Sequence, residues 1–180
     1  KILVPTFAVG RAQLMMLLLA QMFRAGKMKP FPIFLDSPMA IEATNIYMKH
    51  KDIFDEEMTE FISDRPLRED LKTLKATATA NESKAINDVT GACMVLAGAG
   101  MCNAGRIVHH LKANLWKPST HVLIVGYQGN GSLGRLLVDG KTEVKIFGEP
   151  VAVKAKIHTL GGFSAHAGQT DLLHWFSVIA

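Results

Sequence analysis

Short apolar runs alternate with amphipathic stretches along most of the 180-residue chain. Apolar or alternating patterns predict strands at residues 1–5, 32–36, 71–78, 93–97, 121–127, 143–147 and 151–158. Helical spacing of apolar residues fills most of the intervals between these runs. Strands that alternate with helices are typical of a parallel sheet, so the pattern predicts an α/β fold.

The clearest helical pattern covers residues 9–25, and glycine and proline follow it as stop signals. Further helices are predicted at 38–49, 81–88 and 103–115. Asn81 and Asn103 are the expected N-caps of the last two, because asparagine side chains accept hydrogen bonds from free backbone N–H groups. Residues 51–70 contain half of the 16 acidic residues and few strong cues, and we expect a solvated helical excursion at the rim of the sheet.

Length and composition indicate one well-buried domain, with 48% hydrophobic and 20% charged residues. The longest apolar run, at 14–20, is too short to span a bilayer, so no membrane association is predicted. Cys93 and Cys102 lack the spacing of a zinc site or a disulfide framework, which favours reduced thiols and a cytoplasmic location. A net charge of +4 mildly favours a polyanionic partner.

A glycine-rich loop at 97–106 follows a buried strand pattern and opens a helix. Backbone N–H groups and the helix dipole favour an anion at such a position. Gly98, Gly100 and Arg106 are therefore candidate phosphate ligands. The same glycines also fit a tight strand-to-helix turn with no ligand, and the local sequence does not separate the two interpretations.

A second glycine-rich loop, at 126–135, contains a formal G-x-G-x-x-G motif made by Gly129, Gly131 and Gly134. It is a weak dinucleotide motif, because the following helix pattern is short and no acidic ribose partner ends the next strand. The carboxyl ends of parallel strands share one edge, so Arg106 and Arg135 are expected to line a common groove. Tyr127 is the one evident candidate for stacking on a base near these loops.

Polar residues outside the glycine loops give weaker signals. Asp36 ends a strand pattern just before a Ser-Pro helix opening. Its side chain could hold a ligand or a loop, but capping of the helix is the stronger interpretation. His109 and His110 are adjacent on a predicted helix and do not share a face, which argues against a metal pair and favours interface or packing roles. The chain contains no H-x-H-x-D-H motif, no H-E-x-x-H motif and no cysteine cluster.

The segment 162–169 (GFSAHAGQ) places a histidine between a strand pattern and a helix pattern. Its glycines let a ligand approach the backbone closely, and a histidine exchanges protons readily near neutral pH. His166 is therefore a candidate catalytic residue. A surface or capping histidine fits the same segment, so the segment by itself leaves both interpretations open.

Several ordered motifs together resemble the β-CASP region of metallo-β-lactamase-fold nucleases that act on RNA. They are VPTFAVGRAQ at 4–13, LDSPMA at 35–40, GMCNAGRIVHHL at 100–111, VGYQ at 125–128 with GSLGR at 131–135, and FSAHA at 163–167. The resemblance implies a three-layer αβα domain with a mostly parallel sheet at 1–157. It also implies that residues 158–180 begin the return to a metallo-β-lactamase domain that is absent from this chain.

The resemblance further implies a metal-dependent RNA phosphodiesterase, with single-stranded RNA entering the cleft between the two domains. Two zinc ions would be held by ligands outside this chain, so none of its own residues is expected to ligate metal. His166 matches the histidine that contacts the scissile phosphate and protonates the leaving group, partnered by an acidic residue that would precede Lys1. Ser164 in the same motif is assigned to phosphate binding.

Other features bear on whether activity is retained. The chain opens at Lys1 directly in a strand pattern, which suggests a segment of a longer polypeptide. Because the resemblance places the metal ligands outside this chain, the isolated segment is expected to be inactive. Ala99 and Gly168 stand where relatives often carry a serine and an acidic residue.

There are two rival hypotheses, a non-catalytic RNA- or protein-binding module and a nucleotide-binding domain. The sequence does not decide whether cleavage is internal or terminal, whether the substrate is RNA or DNA, or whether a homodimer forms.

Overall fold

A computed structural model describes residues 1–163 and 167–179 of the chain. The strands are β1 (Ile2–Pro5), β2 (Ile33–Leu35), β3 (Leu74–Ala76), β4 (Met94–Ala97), β5 (His121–Ile124), β6 (Glu143–Ile146), β7 (Glu149–Ala152) and β8 (Lys156–Thr159). The helices are α1 (Arg11–Arg24), α2 (Pro38–Lys49), α3 (Glu56–Asp64), α4 (Leu67–Asp70), α5 (Ala80–Ala85), α6 (Arg106–Asn114), α7 (Leu133–Val138) and α8 (Gln169–Ile179). Short 3₁₀ turns lie at Lys51–Ile53 and Ile86–Asp88.

The main sheet has six strands in the order β3-β2-β4-β1-β5-β8. Every pair in it is parallel, whereas β6 and β7 form a separate antiparallel hairpin. Parallel neighbours need crossover connections, and the helices between the strands supply them. The predicted parallel α/β sheet is confirmed.

Alternate residues of the central strands bury against different helices. Leu3 and Val95 pack in a cluster with the apolar face of α6, while Val4 and Leu96 pack in a second cluster with α1. Side chains in a strand point to opposite faces of the sheet in turn, so the two clusters lie on its two sides. The predicted three-layer αβα arrangement is therefore confirmed.

Three predicted strands are wrong in extent. The run at 121–127 ends at Ile124 as β5. The run at 151–158 is split between β7 and β8, because the N–H of Val153 donates to Thr142 O and those of Lys154 and Ala155 donate to Leu115 O. These backbone groups are thus bonded away from a continuous ladder. The run at 71–78 shortens to β3, since the short helix α4 ends just before it.

Both predicted asparagine caps are also wrong. Thr79 is the N-cap of α5, and its side chain and that of Glu82 form a reciprocal capping box. Gly105 precedes α6, with φ 75° and ψ −172°. The Asn103 carboxamide oxygen instead accepts from the N–H of Leu133 at 2.8 Å and so links the two glycine-rich loops.

The acidic segment 51–70 is helical, as predicted, and is fastened to α1 by Arg24. The Arg24 guanidinium donates to the buried Asp70 carboxylate at 2.5 Å and to the carbonyl of Phe61, whose ring centroid lies 3.6 Å away. Arg65 pairs with the same carboxylate. A buried, shared ion pair therefore holds this rim segment in place.

The C-terminal part of the chain adds an edge strand, β8, to the main sheet before the last helix, α8. β8 pairs with β5 over four residues, so the predicted domain division between 157 and 158 falls inside this strand. Within the described residues, no helix is long and apolar enough to cross a membrane.

Candidate phosphate-binding cleft

The carboxyl ends of β1, β2 and β4 surround a cleft of about 530 Å³. Its lining comes from three segments, residues 6–8 after β1, residues 36–39 after β2, and residues 98–99 with 104–106 around the β4–α6 loop. Ligands of open α/β sheets bind outside the carboxyl ends of the strands, so this cleft lies where the fold favours a ligand.

A fully buried carboxylate, Asp36, organises the wall of this cleft. Its two oxygens accept hydrogen bonds of 2.6–2.7 Å from the side chains of Thr77, Ser83, Arg106 and His110. Because an ionised carboxylate can only accept, the His110 imidazole must carry its proton on Nε2. This set, the Asp36 network, joins the end of β2, the β3–α5 connection, α5 and α6.

The hydrogen bonds also decide the charge of Asp36. Burial by itself would raise its pKa, but the bonds from His110, Ser83, Thr77 and Arg106 outweigh burial and hold the pKa far below its ordinary value. Asp36 is therefore a carboxylate at neutral pH. The Ser37 hydroxyl, rather than Asp36, caps α2 by accepting from the N–H of Ala40.

Arg106 lines the cleft, but its guanidinium is already engaged. Nη1 donates to Asp36 and to the carbonyl of Thr77, and Nη2 donates to the carbonyl of Ala78. The side chain is 21% exposed. These bonds favour a positioning role for Arg106 over the direct phosphate contact expected from the sequence.

The first glycine-rich loop closes on itself and presents the start of α6 to the cleft. The N–H of Ala99 donates to Ala104 O, and that of Ile107 donates to Gly98 O. A Cβ on Gly105 would lie 2.3 Å from the Gly98 carbonyl oxygen, so this close approach requires glycine. Among the described residues, the N–H groups of Gly105 and Arg106 have no acceptor, as is usual for the first turn of a helix.

Thr6 adds a polar group that the sequence analysis missed. It is 1% exposed and lines the same cleft. Its hydroxyl is buried and has no hydrogen-bond partner among the described residues. A buried polar group without a partner is costly, so this hydroxyl and the free N–H groups of α6 together favour an anionic ligand.

In the second glycine-rich loop, the N–H groups at the start of the following helix are not free among the described residues. The N–H groups that open α7 are bonded to Asn103 Oδ1, Met101 O and Ser132 Oγ. A Cβ on Gly134 would lie 1.7 Å from the Gln128 amide oxygen, so this glycine serves close packing. The nucleotide-binding hypothesis therefore lacks free donors at the helix start, where a dinucleotide motif places the pyrophosphate.

Arg135 and Gly100 differ from the sequence-based expectation in position. Arg135 is not among the described residues that line the cleft, and it pairs with Asp139 one helical turn later at 2.9 Å. Gly100 lies beside the cleft and packs against the ring of Phe7. The structure thus brings Gly98 and Arg106 together, whereas Gly100 and Arg135 are not among the described residues that line the cleft.

Comparison with models of known protein families identifies the family of the chain that forms this cleft. The family model described as "Beta-Casp domain" matches residues 12–137. The chain belongs to the Beta-Casp domain family. A second model, described as "Zn-dependent metallo-hydrolase RNA specificity domain", matches residues 150–179. The assignment to the β-CASP region of RNA nucleases with a metallo-β-lactamase fold is confirmed.

Curated relatives extend over nearly the whole Beta-Casp chain. It is 43% identical over 178 residues to "Ribonuclease TTHA0252" of Thermus thermophilus, covering 97% of this chain and 40% of that protein. It is 30% identical to "RNase J-like protein" of Methanocaldococcus jannaschii, covering 99% and 40%. It is 32% identical to "Transcription termination factor FttA" of Thermococcus kodakarensis, covering 97% and 28%. The chain thus spans less than half the length of these relatives.

The described Beta-Casp residues do not fit a zinc site. They contain no group of three or more histidine, cysteine or acidic side chains placed to hold a metal ion. Asp36 and His110 are adjacent, but a serine, a threonine and an arginine fill the remaining positions around the carboxylate. No reaction step is assigned to a metal held by these side chains.

The remaining predicted residues divide into two groups. His110 faces the buried Asp36 network while the exposed His109 ring lies 4.9 Å from that of Phe147, so the two histidines face differently, as expected. Ser164 and His166 lie outside the described residues. Just before them, the Phe163 ring has the Arg11 guanidinium 5.8 Å from its centroid.

Proposed function

We propose that the chain is the RNA-binding cap of a longer, metal-dependent RNA phosphodiesterase. Family membership and relatives named as ribonucleases support the reaction class. The observation that carries the binding role is the cleft, because its lining includes Thr6, whose buried hydroxyl has no partner among the described residues, and the start of α6, whose first N–H groups have none either. Donors of this kind hold a phosphate without reading sequence.

Each residue has a defined part in this proposal. The N–H groups of Gly105 and Arg106 and the Thr6 hydroxyl donate to a phosphate oxygen of single-stranded RNA, and Gly98 lets the strand approach the backbone. The Asp36 network holds these groups in place. Arg135, whose surface pair with Asp139 is weak, contacts the backbone farther along the strand.

The C-terminal residues supply the proton in this proposal. His166, assigned through the family resemblance, protonates the oxygen that leaves the scissile phosphate, and Ser164 binds that phosphate. Residues 158–180 return to a metallo-β-lactamase domain that residues 1–157 cap. The isolated chain is inactive, and the whole protein is cytoplasmic.

Zinc belongs to the other part of the protein in this proposal. The description of the second matching family as zinc-dependent supports a metal requirement. We place the ligands of the two ions outside this chain, as the family resemblance implies. The chain's own contribution is binding, orientation and a proton.

The Thr6→Val substitution tests the cleft, because valine keeps the shape of threonine and removes the hydroxyl. A hydrogen bond to a charged group is worth about 1.5–3 kcal/mol, so binding of labelled single-stranded RNA should weaken by roughly 10- to 150-fold. Thermal stability should stay level or rise, because a buried hydroxyl without a partner is removed. Thr59→Val, at an exposed position on α3, is the matched control.

Fluorescence anisotropy and a thermal melt of the full-length protein give both readings. Unchanged RNA affinity in Thr6→Val, with lowered stability, would show that the hydroxyl is structural and that the cleft is not the phosphate site. Changes confined to Thr59→Val would contradict the assignment as well.

A binding module without chemistry is the second candidate function. It is supported by three relatives named as transcription termination factors, which match 97% or more of the chain at 30–32% identity. A full-length protein that binds single-stranded RNA through Thr6 and leaves it intact would favour this candidate.

A further inference from the structure

Phe7 is the aromatic residue closest to the proposed phosphate site. It follows β1 directly after Thr6 and lines the same cleft, with 44% of its surface exposed. One side of its ring is held by glycine backbone: a Cβ on Gly100 would lie 2.8 Å from two ring carbons, and one on Gly126 would lie 3.8 Å from the ring. The ring thus packs against glycine backbone on one side, and the part of it that stays exposed is called its open face below.

Further exposed side chains continue this surface. Tyr127, 61% exposed, follows β5, which is the neighbour of β1 in the sheet. Met39, 68% exposed, lines the cleft beside Phe7. The carboxyl edge therefore carries hydrogen-bond donors and aromatic surface next to each other.

We propose that the open face of Phe7 stacks on an unpaired base of the RNA strand, and that Tyr127 stacks on a neighbouring base. This proposal rests on the proposed function, since it concerns the nucleotide whose phosphate occupies the same cleft. Base stacking on aromatic rings tolerates any sequence, because every base has a π face. The ligand class is therefore single-stranded, unpaired nucleic acid.

The contacts favour a base over another occupant. The ring sits in one cleft with the Thr6 hydroxyl and the start of α6, so a nucleotide satisfies the polar and apolar groups together. The glycines fix the plane of the ring in advance, which lowers the entropy cost of stacking. Arg106 cannot take this role, because its guanidinium is bonded to Asp36.

The same geometry explains Gly100. Its backbone needs no positive φ, yet a Cβ there would meet the Phe7 ring. Gly100→Ala should therefore push the ring out of position. It provides a second perturbation that leaves Phe7 itself intact.

The experiment compares Phe7→Ala, Phe7→Leu and Phe7→Tyr in the full-length protein, with Phe147→Ala as the control. Phe147 is also an exposed phenylalanine, 58% exposed, but lies after β6 away from the cleft. Each variant is titrated with a labelled single-stranded RNA and with the same backbone lacking its bases. The second probe retains the phosphates and removes the stacking partner.

Phe7→Ala and Phe7→Leu should weaken binding of the RNA between about 5-fold and about 150-fold and leave binding of the abasic strand unchanged. Phe7→Tyr should bind like wild type, Gly100→Ala should weaken the RNA selectively, and Phe147→Ala should have no effect. An equal loss on both strands, or no loss on either, would overturn the stacking proposal. Wild-type protein that binds neither strand would instead contradict the proposed function.

Discussion

Removal of the Asp36 carboxylate is the perturbation whose size the structure defines best. In Asp36→Ala, four side-chain donors lose their acceptor, and one of them is the Arg106 cation. Breaking a buried ion pair from one side costs about 3–5 kcal/mol. For a chain of this length, each kcal/mol lowers Tm by roughly 2–4 °C, so a drop of about 6–20 °C is expected.

The Asp36→Asn substitution removes the charge of the side chain and keeps its shape. The amide oxygen still accepts, but its NH₂ group faces donors, so Ser83 must turn its hydroxyl and His110 must move its proton from Nε2 to Nδ1. Nδ1 is buried without a partner among the described residues, so this proton would also be unpaired. The loss should therefore lie between those of wild type and Asp36→Ala.

The effect should depend on pH with a defined sign. The pKa of Asp36 is lower in the folded chain than its ordinary value of 3.8, because its hydrogen bonds outweigh burial. Its contribution to stability is therefore complete above pH 3.8 and is lost as the pH falls through the lower, folded value. The difference in Tm between wild type and Asp36→Asn should be full at neutral pH and shrink in acid.

The control is Asp139→Ala, which breaks an exposed ion pair with Arg135 on α7. Pairs of that kind contribute about 0.5 kcal/mol or less, so the change in Tm should stay below about 2 °C. Differential scanning calorimetry of the 180-residue chain gives both numbers. Equal, small shifts for Asp36→Ala and Asp139→Ala would refute the network as an organising element.

Three other substitutions or treatments test separate parts of the account. Gly105→Ala should lower the free energy of unfolding by more than about 3 kcal/mol, because it adds a backbone clash to an unfavourable φ. Gly148→Ala, also at positive φ but in open space, should lower it by about 1–2 kcal/mol, and urea melts that give equal losses of stability for the two variants would contradict this. Asp70→Ala should free segment 51–70, seen as faster proteolysis within Glu56–Asp64, and an unchanged cleavage rate would remove the Arg24 anchor. Burial raises the pKa of the Cys102 thiol to about 12, so iodoacetamide at about pH 8 should alkylate it only after unfolding, as mass spectrometry would show; rapid labelling of the folded chain would place Cys102 nearer the surface.

The sheet was predictable because burial in a strand is a local pattern. Leu3 and Val4 face different helix layers, so β1 is buried on both sides and forms a continuous apolar run that is visible in the sequence. The break between β7 and β8 was not, since it depends on Leu115, which is remote in the chain and accepts from Lys154 and Ala155. A local sequence pattern does not indicate hydrogen-bond acceptors that are distant in the chain.

The same distinction applies to the cleft. Gly98 and Arg106 were found because a glycine loop after a strand is a local signal. The partners of Asp36 come from positions 41 to 74 residues away, so the sequence could only leave Asp36 between a cap and a ligand-holding role. Thr6 had a usable signal, a polar residue right after a buried strand at the carboxyl edge. Phe7 did not, because its proposed role depends on contact with Gly100.

The most direct test of the central claim is cleavage of single-stranded RNA in the presence of zinc or manganese, by the full-length protein, its His166→Ala variant and the isolated chain. The account predicts that the full-length protein cleaves, that the variant is slower by about 10²- to 10⁴-fold, and that the isolated chain is inert. A His166→Ala variant that cleaves as fast as wild type would contradict the assignment of the proton donor, and an isolated chain that cleaves RNA would contradict its role as a cap.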